Sequence, residues 1–148
     1  MEPYLKDPQA IYEASFAIVR EQTALDGVPA DLHDVAVRVV HACGMPDIVT
    51  DIDASDDFVA SALSALRDGA PLLCDCAMVA SGITRRFLPD GNDVKVTLND
   101  ARVPALAAEL QTTRSAAAVD LWRDDMAGAV IVIGNAPTAL FRCLEVIS

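Results

Sequence analysis

His41 closes an apolar helical run, Val39-Val40-His41-Ala42-Cys43-Gly44. An imidazole on the last turn of a helix is a candidate proton donor, and Gly44 suits the left-handed position just past a helix end. Asp34, Arg38 and His41 follow one another at spacings of four and three, so they share one helical face. The Arg38 guanidinium can hold a substrate carboxylate and disfavours an imidazolium beside it, whereas the helix C-terminus favours positive charge there. These residues alone leave open whether His41 does chemistry or only caps its helix. His33 falls on the polar side of the same helix and is expected to be solvated.

Four further features have the right chemistry for a polar or anionic ligand. Ser15 sits among Ile11, Ile18, Phe16 and Val19, where its hydroxyl either bonds back to its own helix or faces something bound. Arg114 follows Thr112-Thr113 at a helix start, a place the dipole disfavours for a cation and which an anion would compensate. Thr84-Arg85-Arg86 makes a second basic spot. Gly134-Asn135-Ala136-Pro137 turns a strand into a helix and would leave amides free to receive an anion, although such turns are commonly structural.

The elements that must position these groups follow from composition and period. A 148-residue chain, 53% hydrophobic but only 5% aromatic, builds its core from Ala, Val, Leu and Ile. Such a composition suits helices packed on a parallel sheet. Asp7-Pro8 opens a first helix as N-cap and first residue. A second helix begins near Pro29 and buries Leu32, Val35, Ala36, Val39 and Val40. Ser55 caps a third, which Gly69 ends. From Pro71-Leu72-Leu73-Cys74-Asp75-Cys76 onward the pattern changes to short apolar runs separated by helices. Strands are expected there, at residues 94–98 and at residues 129–133. A brief helix follows Cys76, Asp90-Gly91-Asn92-Asp93 is a turn, and helices cover residues 104–110, 113–122 and 137–148. The fold class is therefore α/β, a parallel sheet with flanking helices behind an N-terminal helical segment. Ligands of such sheets gather beyond the carboxyl ends of the strands, where Asp75, Asn99-Asp100 and Gly134-Asn135 fall.

Composition also excludes. A net charge of −11 offers no basic face for nucleic acid, while nine arginines remain to gather locally. No apolar run has membrane-spanning length and no signal-peptide pattern opens the chain. Cys43, Cys74, Cys76 and Cys143 lack zinc spacing and read as free, buried thiols of a cytoplasmic protein. Neither a dinucleotide fingerprint nor a Walker A sequence occurs.

Six segments, in order along nearly the whole chain, resemble the precorrin-8X methylmutase family. They are Ala10-Ile11-Tyr12-Glu13 with Ser15-Phe16; Val37-Arg38-Val39-Val40-His41-Ala42-Cys43-Gly44; Gly69-Ala70-Pro71 running to Cys74-Asp75; Met78-Val79-Ala80 with Gly82-Ile83-Thr84-Arg85; Thr113-Arg114-Ser115-Ala116-Ala117; and Ile133-Gly134-Asn135-Ala136-Pro137-Thr138-Ala139-Leu140. The resemblance implies an isomerase of cobalamin biosynthesis that moves a methyl group from C-11 to C-12 of a corrin precursor, giving hydrogenobyrinate. It implies that His41 is the general acid. Ser15, Arg38, Thr84, Arg85 and Arg114 match positions expected to contact the tetrapyrrole or its carboxylate arms, for which a planar guanidinium is well shaped. No cofactor and no metal are expected, and the family is a homodimer with substrate near the subunit interface. The sequence departs from the family pattern in two places. Ala14 stands where members often carry Arg, and the family continues past the last helix with a strand and a glycine-rich segment. Residues 1–148 are thus expected to form a single methylmutase-like domain, short at its C-terminus and lacking the last family strand. The substrate is either the cobalt-free precursor or its cobalt-containing form, and the rival readings are a corrinoid-binding protein without turnover and an inactive fragment.

Overall fold

A computed structural model describes residues 4–89 and 91–148, which form two compact units, one up to Val59 and one from Ala60 onward. Asp90, in the expected turn before the second strand, lies outside the described residues.

The first unit is a helical pair with short connecting turns. Helix α1 spans Pro8–Gln22, with Asp7 accepting from the Ala10 amide at its start as the sequence predicts. A 3₁₀ turn, Ala30–Leu32, leads into α2, His33–Cys43, so the helix expected from Pro29 tightens in its first turn. Helix α2 ends at Gly44, whose φ of 69° places it in the left-handed region, and the Gly44 amide bonds the Val40 carbonyl. The buried stripe of α2 is rotated from the expected one. Leu32, Ala36, Val37 and Val40 are buried, whereas Val39 is 37% exposed. Ala36 and Val40 meet Val49 from the 3₁₀ segment Pro46–Asp51, and Val19 of α1 packs against that cluster. His33 is not solvated as expected: it is half-buried, and its Nε2 lies 2.9 Å from the Val28 carbonyl, a bond that pins the preceding turn.

The second unit carries the sheet. Helix α3, Phe58–Arg67, leads through Gly69, at φ 78°, into strand β1, Leu72–Cys74. Helix α4 is Ala77–Gly82, strand β2 Val94–Val96, and helices α5 and α6 are Val103–Glu109 and Arg114–Val119. Strand β3, Val130–Val132, and helix α7, Pro137–Ile147, complete it. Sheet order is β2-β1-β3, all parallel, with Leu73 opposite Lys95 on one side and Ile131 on the other. Central β1 is buried throughout, as a continuous apolar run requires, while both edge strands are half-buried. Leu73, Val119, Trp122, Ala139 and Cys143 form the core on one side. Val103, Ala107, Ala117 and Ala118 form a second cluster, where small side chains let α5 and α6 approach closely.

Two differences from the sequence reading have local causes. The helix expected over residues 113–122 is α up to Val119 and 3₁₀ from Asp120–Asp125. Three residues per turn bring i and i+3 into line, and Asp120 uses this to bond Arg123 at 2.7 Å. Of the four free cysteines, Cys74, Cys76 and Cys143 are buried as expected, but Cys43 is exposed at the end of α2.

Candidate functional site

Within the first unit, α1 and α2 bring three of the expected residues together. The Ser15 hydroxyl lies 3.2 Å from Nδ1 of His41. Ser15 therefore does not bond back to its own helix. Its partner is the imidazole on the last turn of α2, and the tautomer of that ring decides which atom donates. Nε2 has no hydrogen-bond partner among the described residues. The imidazole also stacks on Phe16, with ring centroids 4.6 Å apart and planes inclined by 26°. Tyr12, one turn earlier on α1, stacks on Phe16 in the same way at 4.3 Å and 30°. The sequence reading assigns no such aromatic stack to Tyr12 and Phe16. Their i, i+4 spacing on either side of Ser15 was the available signal of an aromatic pair beside the hydroxyl.

The charges on this face are arranged by helical spacing. Asp34 is engaged by Arg20 of α1 at 2.6 Å, which leaves Arg38 without an ion-pair partner among the described residues. The Arg38 guanidinium instead lies 5.7 Å from the centre of the Phe16 ring, within reach of a weak cation–π attraction. A groove of about 380 Å³ runs along the α1–α2 face, lined by Tyr12, Phe16, Arg20 and Arg38 among others. Tyr12 and Phe16 line it together with the carboxylates of Glu13 and Asp34, and Arg38 makes no ion pair among the described residues.

The second unit holds the other expected contacts. Arg114 sits in the first turn of α6, whose N-cap Thr113 accepts from the Ala116 amide at 3.1 Å. The guanidinium reaches the Leu98 carbonyl at 3.3 Å and Asn99 Oδ1 at 3.5 Å, just past the carboxyl end of β2. These neutral acceptors tether the side chain without cancelling its charge. Thr84 is the N-cap of the 3₁₀ turn Arg85–Phe87, and Arg85, exposed, lines a hollow against Val94 and Val96 of β2. Arg85, beside β2, and Arg114, just past its carboxyl end, remain unpaired with any carboxylate among the described residues. Arg86 lies over the Phe87 ring at 4.9 Å.

The turn at Gly134-Asn135-Ala136 is not free to bind an anion. Asp75, buried at the carboxyl end of β1, accepts the amides of Asn135 and Ala136 at 2.9 and 2.8 Å, and that of Gly134 at 3.4 Å. The protein's own carboxylate fills the amide cradle and locks β1 to the β3–α7 turn. Among the described residues, no group of three or more His, Cys, Asp or Glu side chains could hold a metal ion. No helix among them is long and apolar enough to cross a membrane.

Comparison with known proteins identifies the family. The family model described as precorrin-8X methylmutase matches residues 10–148. The chain belongs to the precorrin-8X methylmutase family. It is accordingly an isomerase, one that shifts a methyl group within a molecule. Precorrin-8X methylmutase of Pseudomonas aeruginosa is 54% identical over 147 residues, an alignment covering 99% of this chain and 71% of that protein. Cobalt-precorrin-8 methylmutase of Salmonella typhimurium is 34% identical, covering 96% and 71%. The crystal structure of precorrin-8X methylmutase from Thermus thermophilus superposes with a TM-score of 0.82 at 32% identity, over 94% of this chain and 68% of that one.

Proposed function

We propose that this methylmutase moves the C-11 methyl group of precorrin-8X to C-12, yielding hydrogenobyrinate in cobalamin biosynthesis, with His41 as general acid. The observation that carries the reading is the Ser15–His41 contact beside a groove lined by Tyr12, Phe16 and an Arg38 that makes no ion pair among the described residues. In its acid form the ring carries a proton on each nitrogen: Nδ1–H donates to the Ser15 hydroxyl oxygen, and the proton that is given up, leaving a neutral imidazole, sits on Nε2, which has no hydrogen-bond partner among the described residues. From there it is lent to the macrocycle, easing the sigmatropic shift, and returns to the imidazole once the methyl group has moved. The reaction is an isomerisation, so it needs no second substrate and no cofactor. General acid assistance of this kind is worth about 10²–10⁴-fold.

A tetrapyrrole carries many acidic arms, and each guanidinium has a place in holding them. At about 380 Å³ the α1–α2 groove is at the small end of ligand pockets and suits one arm, with Arg38 binding its carboxylate. Thr84, Arg85 and Arg114, in the second unit, are assigned to binding tetrapyrrole carboxylates, and the Ser15 hydroxyl keeps a lone pair for substrate. Cobalt-free precorrin-8X is preferred to its cobalt form because identity is higher to the relative named for it, 54% against 34%. The active species is a cytoplasmic homodimer, a reading supported by Ile11 and Ile18, both about half exposed on α1, which leave an apolar stripe for a second copy. Incubating the purified chain with precorrin-8X and following the absorbance spectrum tests the proposal. Conversion to the hydrogenobyrinate spectrum is expected; a spectrum perturbed by binding yet never converted would mean a corrinoid binder instead.

A further inference from the structure

We infer that Phe16 is the positioning residue of the imidazole, fixing the plane of the His41 ring while Ser15 fixes its edge; this rests on the acid role given to His41 above. One hydrogen bond at Nδ1, 3.2 Å long, anchors one atom and leaves the ring free to swing about that contact. His41 is exposed, so its remaining surroundings do not immobilise it. The stacked Phe16 face, 4.6 Å away and inclined by 26°, removes the remaining freedom. Two consecutive residues of α1 thereby constrain one side chain of α2 from two directions.

Phe16 is itself held. It is half-buried, Tyr12 stacks on it from one turn earlier, and the Arg38 guanidinium lies near its ring from α2. Offset stacking of this kind adds attraction beyond the area buried. Proton transfer is sensitive to direction, and a donor must stay within roughly 10–20° of its productive geometry. A planar aromatic surface supplies that tolerance in a way that an aliphatic side chain of similar volume cannot. Phe16 touches the acid and acts through it.

The test compares Phe16→Leu, which keeps apolar bulk, with Phe16→Tyr, which keeps the planar face, in steady-state turnover of precorrin-8X. Phe16→Leu is expected to lower kcat about tenfold with KM held within about twofold, and Phe16→Tyr to restore most of kcat. In NMR spectra the His41 ring protons should lose their ring-current displacement in Phe16→Leu and keep it in Phe16→Tyr. A wild-type kcat in Phe16→Leu, a loss that Phe16→Tyr does not repair, or His41 shifts that stay put would each overturn the inference. Should Phe16→Leu not fold, nuclear Overhauser contacts between the two rings in the native protein decide, their presence supporting the inference and their absence refuting it. His41→Ala assayed alongside separates the two levels: full turnover in that variant removes the acid role itself, whereas an inactive His41→Ala beside a fully active Phe16→Leu removes only the role of Phe16.

Discussion

Ser15 Oγ and His41 Nδ1 lie 3.2 Å apart, joining the middle of α1 to the last turn of α2. The contact makes the imidazole part of a two-helix device. Losing the hydroxyl removes a hydrogen bond of about 1 kcal/mol net, so Ser15→Ala should turn precorrin-8X over several-fold to about tenfold more slowly while staying folded. Steady-state kinetics together with a thermal melt check this. Wild-type kcat in Ser15→Ala would mean that the contact has no part in turnover.

Asp75 makes a separate, structural prediction. Its two oxygens take three amides of the β3–α7 turn, and charge-assisted bonds are each worth about 1.5–3 kcal/mol. Asp75→Ala leaves those donors unmet and should cost about 3 kcal/mol or more in urea unfolding. Asp75→Asn retains one acceptor oxygen and should cost distinctly less. Equal losses in the two variants would contradict the assignment.

Gly134 is set by contact, not by backbone conformation. A Cβ built on it would lie 2.9 Å from Cγ2 of Val79 on α4, and a β-branched valine has little freedom to move aside. Gly134→Ala should destabilise by about 1–3 kcal/mol, as overpacked sites do. Val79→Ala removes the obstructing methyl, so the double variant should be more stable than the two single losses added together. Strict additivity in urea titrations would argue against the clash.

Acid sensitivity should trace to Asp120. Arg142 bonds this carboxylate through Nε and Nη2 at 2.8 Å each. That bond is the largest influence on Asp120; burial opposes it, the Arg123 bond assists, and the net effect lowers its pKa. A group whose folded pKa is depressed stabilises the fold above its unfolded value, near ~3.9 for Asp, and loses that contribution as pH falls through the folded value. Arg142→Met should therefore be less stable than wild type above about pH 5, by roughly 1–3 kcal/mol. The gap should narrow on acidification below about pH 4 as the wild-type carboxylate is protonated. Urea midpoints across that range measure it, and a gap constant with pH would exclude the linkage.

Much of the scaffold could be read from local chemistry. Asp7-Pro8 capped α1, Gly44 ended α2 in the left-handed region, and the unbroken run at Leu72-Leu73-Cys74 announced a strand covered on both faces. What could not be read depended on polar partners that no hydropathy period reports, most of them distant in the chain. The spacing put Arg38 and His41 on one face, but that Asp34 would turn to Arg20 and Ser15 to His41 was decided by how α1 meets α2. His33 looked solvated because the carbonyl it bonds belongs to the preceding turn. The Gly134-Asn135-Ala136 amides looked free because the carboxylate that occupies them lies some 60 residues earlier and follows an apolar strand with no signal of its own. Hydropathy periods report which face is buried, and they are silent on which polar group meets which.

The acid role of His41 is tested most directly by His41→Ala, assayed spectrophotometrically for conversion of precorrin-8X with corrinoid affinity titrated in parallel. Turnover should fall by at least about 10²-fold while binding stays close to wild type, since the guanidinium groups that hold the carboxylates are untouched. Undiminished conversion by that variant would contradict the account.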